Sequence, residues 1–188
     1  MNPLEAKRDL AHAKLDFAAL EPHFVLASWQ RVGIAVWIDE TPVEAIHDAQ
    51  LMLARLSLSY PEGIAFLQVI GEDNPGIEPH ARVALSQLLS AHRSSLREAP
   101  VVYEGDGFRA ASFRAIVTGL LTPRSMRFAH RVYSTLESAT LAIAHQFENR
   151  EPTRYARELC EVMSDVRDRH RHRYPSAPRS FIRYKGNG

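Results

Sequence analysis

A turn with two glycines contains the residue types that bind an anion. The segment EGDGFR at 104–109 follows a short β-type run and precedes a helical pattern. Backbone N–H groups at the start of a helix attract anions, and Gly105 and Gly107 allow a ligand to approach the backbone closely. Arg109 and Arg114 add positive charge. These four residues are therefore a candidate site for a small anionic ligand.

The same turn also fits a purely structural role. Its spacing matches neither the dinucleotide-binding pattern G-x-G-x-x-G nor the Walker P-loop. Glu104 and Asp106 would repel a phosphate group, and a tight turn needs glycine whether or not a ligand binds. The sequence leaves both interpretations open, and the structural one fits the pattern better.

A second polar loop, GEDNPGIEP at 71–79, also lies between a strand pattern and a helix pattern. Glu72, Asp73 and Asn74 offer the oxygen ligands that hard metal ions prefer. Adjacent polar residues among proline and glycine are more typical of a solvated turn, so we predict no metal here. We predict instead that Asp73 and Asn74 contact a partner.

No residues in the chain form a catalytic signature. The nine histidines show no zinc-site spacing, and no G-x-S-x-G motif is present. Cys160 is the only cysteine, and the sequence places it on a charged helix outside the α/β body, where an unreactive thiol is expected. We therefore predict no catalytic residue, no metal and no cofactor, and we do not expect an enzyme.

The C-terminal part of the chain is basic. Arg167, Arg169, Arg171 and Arg173 begin a stretch that carries seven cations and one acid, which leaves the remainder at about −5. Such a stretch is either a solubilising tail or an electrostatic contact for nucleic acid, an anionic surface or an acidic protein. No motif that reads a nucleic-acid groove accompanies it.

The elements that position these residues begin with a lead-in at 1–21, predicted to be helical or loosely ordered. Two β-type runs, Phe24–Trp29 and 34–38, predict a hairpin. Thr41 is a candidate cap for the first helix, whose apolar residues recur every three or four positions. The nearly all-apolar run Ile64–Ile70 predicts a strand buried on both faces.

The second half of the domain continues the alternation. The patterns predict a helix from Pro79 to about residue 96, a strand at Val101–Tyr103, a helix at 108–121, a strand at 128–133, and a helix capped by Ser134 with Glu137 in a capping box. Alternating strands and helices imply parallel pairing through right-handed crossovers.

These elements predict a single α/β domain over 22–147, with a mixed, mostly parallel five-stranded sheet, flanking helices, and the hairpin at its antiparallel edge. A linker then leads to a helix at 152–172. Its narrow apolar stripe either docks on the domain or pairs with a second copy of the chain. Residues 173–188 are predicted to be a basic tail without fixed structure.

Length and composition set broad limits. A chain of 188 residues can bury a core of its own. Its apolar runs are short, so we predict no membrane span, and its charged N-terminus does not resemble a secretory signal. A single cysteine fits a reducing compartment, and we predict a cytoplasmic location.

The pattern over 22–147 resembles the STAS-type domain, the family of anti-sigma-factor antagonists with SpoIIAA-like and SEC14-like relatives. The resemblance rests on the hairpin, on IAFLQVI before a helix, and on VVYEGDGFRAASFRAIVTGL followed by RVYSTLESATLAI. It implies a non-enzymatic scaffold that binds a kinase or anti-sigma partner. The family's switch is a phosphorylated Ser or Thr after the central strand. The matching segment here, GEDNPGIEPHARVAL at 71–85, contains neither, so the switch is not carried over.

We therefore predict a non-catalytic protein–protein interaction module of a bacterial regulatory system. The predicted contact surfaces are the loop at 71–79, the turn at 105–109, and the last helix with its tail. The alternatives are an anion-binding module that uses Gly105 and Arg109, and nucleic-acid association through the tail.

Overall fold

The computed structural model describes residues 14–105, 131–147 and 151–176. The described residues form seven strands and four helices. The strands are β1 (Asp16–Leu20), β2 (Phe24–Trp29), β3 (Val32–Trp37), β4 (Ile64–Ile70), β5 (Leu96–Glu98), β6 (Val101–Tyr103) and β7 (Val132–Tyr133). The helices, numbered here in chain order, are α1 (Val43–Ser59), α2 (Pro79–Ala91), α3 (Leu136–Gln146) and α4 (Pro152–Arg173).

The strands form one mixed sheet in the order β1-β2-β3-β4-β6-β7, and β5 also pairs with β4. The pairs β1–β2 and β2–β3 are antiparallel. The pairs β3–β4, β4–β5, β4–β6 and β6–β7 are parallel. The prediction of an α/β fold with a mixed sheet is confirmed, as is the parallel pairing of β4 with β6. The predicted number of five strands is wrong, because β1 and β5 also belong to the sheet.

Strand β1 replaces part of the predicted helical lead-in. Its sequence DFAAL contains no β-branched residue, so local propensity did not indicate a strand. Pairing with β2 imposes the extended conformation, and the register shifts between Phe17 and Ala19. The outermost described strand on this side of the sheet is therefore β1, and the hairpin β2–β3 lies inside it.

Strand β5 replaces the predicted end of the second helix. Helix α2 ends at Ala91, and the N–H groups of Ser95 and Leu96 both donate to the carbonyl of His92 in a turn. The Ile64 N–H then donates to the Ser95 carbonyl at 2.9 Å, which brings this segment beside the start of β4.

Helices cover both faces of the sheet. On β4, Ile64, Phe66 and Ile70 pack with residues of α1 and α2 on one face. Ala65, Leu67 and Val69 pack with residues of α3 and α4 on the other face. Successive side chains of a strand point to opposite faces of the sheet, so the fully buried β4 contributes residues to the core on both faces.

Helix α4 is part of this core, which corrects the prediction of a helix outside the body. Tyr155, Leu159, Met163 and Val166 are buried against the sheet face that α3 also covers. The apolar stripe is therefore used within the chain, and it is not free to pair with a second copy.

Two predicted helix caps differ from the observed ones. The side chain of Thr41 makes no cap bond, and α1 begins after Pro42 in extended conformation. Helix α3 is capped by Thr135 rather than Ser134, and the Thr135 hydroxyl accepts a hydrogen bond from the Ser138 N–H at 3.2 Å. The predicted helix at 108–121 and most of the predicted strand at 128–133 lie outside the described residues.

Candidate interaction surface at the carboxyl edge of the sheet

Three parallel strands end side by side at one edge of the sheet. Trp37, Ile70 and Tyr103 are register partners across β3, β4 and β6. The Gly71 N–H donates to the Trp37 carbonyl at 2.7 Å, and the Glu104 N–H donates to the Ile70 carbonyl at 3.0 Å. The loop at 71–79 and the turn that begins at Glu104 therefore leave the sheet at neighbouring positions.

Glu104 and Arg167 form an ion pair at this edge. Their side chains are only 18% and 7% exposed, and the pair joins the end of β6 to α4. Burial raises the pKa of the Glu104 carboxyl, and nearby Glu72 raises it further. The Arg167 guanidinium opposes this shift without cancelling it. Arg167 thus holds α4 on the sheet, and it is not part of the exposed surface that we predicted for it.

The two predicted contact residues in the loop at 71–79 differ in their exposure to solvent. Asp73 is exposed. Asn74 is only 4% exposed, and its Oδ1 accepts a hydrogen bond from the Gly76 N–H at 3.0 Å. Asn74 also closes a turn through its own N–H, which donates to the Gly71 carbonyl. Asn74 therefore shapes the loop, and of the two residues only Asp73 has an exposed side chain.

The basic end of α4 reaches the same edge and docks on the turn between β1 and β2. His170 Nε2 donates to the carbonyls of Glu21 and Pro22 at 3.0 and 3.1 Å. The Tyr174 hydroxyl donates to the Leu20 carbonyl at 2.9 Å. Structure therefore continues into the segment that we predicted to be without fixed structure, at least as far as Tyr174.

The predicted contact arginines on α4 have different surroundings. The Arg169 guanidinium lies 5.2 Å from the centre of the Phe17 ring. Arg171 is exposed and pairs with Asp168 on its own helix at 2.6 Å. Arg173 is exposed on the last turn. A shallow groove lies between this turn and Leu20.

The predicted anion site is described only in part. Gly105 has a structural explanation, because a Cβ atom at this position would lie 2.5 Å from the Tyr103 ring. Gly107, Arg109 and Arg114 lie outside the described residues. The described parallel strands β3, β4, β6 and β7 lie side by side in the same order as in the chain, so their order does not reverse. A reversal of strand order is what opens a ligand crevice in sheets of this type.

The structure also shows the surroundings of the cysteine that was considered for catalysis. Cys160 lies against α3, with its Sγ 3.4 Å from the Thr140 hydroxyl oxygen, and burial raises the pKa of this thiol. Within residues 14–105, 131–147 and 151–176, no group of three or more His, Cys, Asp or Glu side chains could hold a metal ion.

The sequence did not indicate the contacts that attach α4 to the edge. Glu104 and Arg167 are 63 residues apart, and His170 and Glu21 are 149 apart. Glu104 and Arg167 carry opposite charges, but opposite charges in a sequence do not specify which residues meet.

Comparisons of this chain with protein-family models, with curated proteins and with solved structures found no match. In the part of the chain that the structure describes, none of the helices combines the length and apolar character needed to cross a bilayer.

Proposed function

We propose that this chain is a non-catalytic protein–protein interaction module, and that its partner binds the carboxyl edge of the sheet. We call the exposed residues Glu72, Asp73, Arg171 and Arg173 the edge surface. The proposal depends above all on the burial of Glu104 against Arg167. Because Glu104 and Arg167 pair with each other and hold α4, these charged groups at the strand ends are not open to a small ligand.

The edge surface suits a protein partner because it carries both signs of charge. Glu72 and Asp73 leave the end of β4, and Arg171 and Arg173 lie on the last turn of α4. Complementary charges across an interface speed association and exclude wrong partners. A mixed surface of this kind favours a partner with its own pattern of charges.

Nucleic-acid association through the basic end is less well supported. Arg167 is buried with Glu104, and Asp168 offsets the charge of Arg171 on the exposed face of α4. Binding to a phosphate backbone needs several cations on one exposed surface. The further cations of the tail lie beyond the described residues.

The STAS-type resemblance remains part of this proposal, as does a cytoplasmic location. An antiparallel hairpin followed by alternating helices and parallel strands supports the first, and the single cysteine supports the second. Members of that family act as binding partners rather than as catalysts, in agreement with the role proposed here.

The proposal is tested by cross-linking the full-length chain in its own cells. A photoreactive residue is placed at Asp73 or at Arg173, and the matched control is the exposed Arg93, which follows α2 at the opposite edge. We expect one discrete protein adduct from both edge positions and none from Arg93. The adduct is identified by mass spectrometry, purified and rebound to the chain in solution.

The affinity of the purified partner for the chain should fall when Arg171 and Arg173 are both changed to Glu. The absence of an adduct from both edge positions, or an equal yield from Arg93, would contradict the proposal. A salt-sensitive complex with nucleic acid in place of a protein adduct would favour the tail alternative.

A further inference from the structure

Helix α1 carries an apolar strip on the side that faces away from the core. Leu51 is 59% exposed and Leu58 is 86% exposed. The two leucines are seven residues apart, so they lie on the same side of the helix. The opposite side, with Ile46, Ala49 and Leu53, is fully buried. Two large apolar side chains on one exposed helix face are surface that contact with another protein would remove from water.

A groove of about 440 Å³ lies beside this strip, between α1 and the edge strand β1. Met52 and Leu56 line it from α1, and Asp16, Ala18 and Ser28 line it from the sheet. Leu51 belongs to the same lining, so the groove adjoins the apolar strip at Leu51; Leu58 lies outside it. No described element of this chain fills the groove.

Three charged residues line the groove, and the two on α1, Asp48 and Arg55, are arranged so that they can pair with the same residues of a second copy; the third, Asp16, lies on β1. Asp48 lies three residues before Leu51 and Arg55 lies four residues after it, and all three line the groove. Neither Asp48 nor Arg55 forms an ion pair within the described residues. When two such helices pack antiparallel, the Asp48 of each lies opposite the Arg55 of the other, and the two Leu51 side chains meet between them.

We propose that two copies of this chain associate through α1, packed antiparallel about a two-fold axis that passes near Leu51. A two-fold interface uses the same patch on both subunits, and one helix here supplies both halves of the charge pair. The arrangement covers Leu51 and closes part of the groove. It also differs from pairing through α4, whose apolar stripe is used inside the chain.

This contact is independent of the edge surface, and its test needs only the chain itself. One pair of helices makes a small interface, so we expect a dimer that forms at high protein concentration and weakens as salt screens the charges. Sedimentation equilibrium of the full-length chain, from micromolar to near-millimolar concentration at low salt, should show the mass of two chains at the upper end.

Charge exchange identifies the interface. Asp48→Arg alone or Arg55→Asp alone places like charges opposite one another, and each should weaken the dimer at least about tenfold. The double variant Asp48→Arg/Arg55→Asp restores opposite charges and should return the dissociation constant to within about threefold of the original. Leu51→Ser should also weaken the dimer. Leu141→Ser, which removes an exposed leucine from α3 in the other layer, should not.

All of these positions are exposed, so folding should change little, and thermal unfolding of each variant checks this. A chain that stays monomeric throughout the concentration range overturns the proposal. A dimer that tolerates both single charge reversals, or one that the double variant fails to restore, overturns it as well, because the subunits would then meet elsewhere.

Discussion

Arg167, near the end of α4, pairs with Glu104 at the end of β6 across 63 residues of sequence. The pair lies between the sheet and the last described helix, with both side chains largely buried. It places α4 over one sheet face, and it brings the basic end of α4 to the edge where the parallel strands end. The proposed binding surface therefore depends on this contact.

Removal of one member of the pair should destabilise the fold strongly. We expect Arg167→Met to lower the free energy of unfolding by about 3–5 kcal/mol, since it leaves the Glu104 carboxylate buried without its cation. The double variant Arg167→Met/Glu104→Leu should recover most of the loss, because no charge then remains buried. Urea denaturation measures both. Arg171→Met, which breaks only the exposed pair with Asp168, is the control and should change stability by less than about 1 kcal/mol. A small effect of Arg167→Met would mean that the pair does not hold α4.

The raised pKa of Glu104 has a defined effect on stability. Because burial raises this pKa above its ordinary value of 4.5, the folded state binds a proton more tightly than the unfolded state. The contribution of Glu104 to stability is then fully present below the ordinary pKa and is lost as pH rises through the folded pKa. The difference in unfolding free energy between the original chain and Glu104→Gln should therefore fall as pH rises through this window and be constant above it. A difference that grows with pH would show that Arg167 outweighs burial.

The contact with the end of α4 should protect β1, the outermost described strand on its side of the sheet, from local opening. Tyr174→Phe removes the hydrogen bond from the hydroxyl to the Leu20 carbonyl, at a cost of about 0.5–1.5 kcal/mol. We expect faster amide hydrogen exchange in β1 and unchanged exchange in β4, because only the end of β1 loses a contact. Equal acceleration in both strands would mean that the effect is global, and no acceleration in either would mean that the contact is unimportant.

A close approach between two strand ends makes Gly71 necessary. A Cβ atom at this position would lie 2.5 Å from the Ile38 carbonyl oxygen, a backbone atom that cannot move aside without shifting β3. Gly71→Ala should cost about 1–3 kcal/mol in thermal or urea unfolding. Gly33→Ala is the matched control, because its Cβ would meet the ends of two side chains, Leu53 at 2.7 Å and Met52 at 3.2 Å, rather than a backbone atom. A cost for Gly33→Ala equal to or greater than that for Gly71→Ala would contradict this explanation.

Part of the candidate surface was predictable. The sequence correctly placed Asp73 in an exposed loop after the central strand, and it placed Arg171 on the basic end of the last helix. Arg173 was predicted to begin a tail without fixed structure, and the structure makes it the last residue of α4. It did not indicate that Asn74 and Arg167 are buried. Exposure depends on what packs over a residue, and the elements that cover these two are distant in the chain or fixed by loop geometry.

The amino-acid sequence by itself determined the elements whose signals are local. The apolar run of β4, the apolar face of α1 and the alternation of strands with helices all follow from spacing along the chain. The tertiary structure alone decided the rest. Strand β1 is extended because it pairs with β2, α4 packs inside because a sheet face is open beneath it, and Arg167 is buried because Glu104 lies opposite. Each of these outcomes depends on a partner outside the segment concerned, and such a partner leaves no periodic pattern in that segment's own residues.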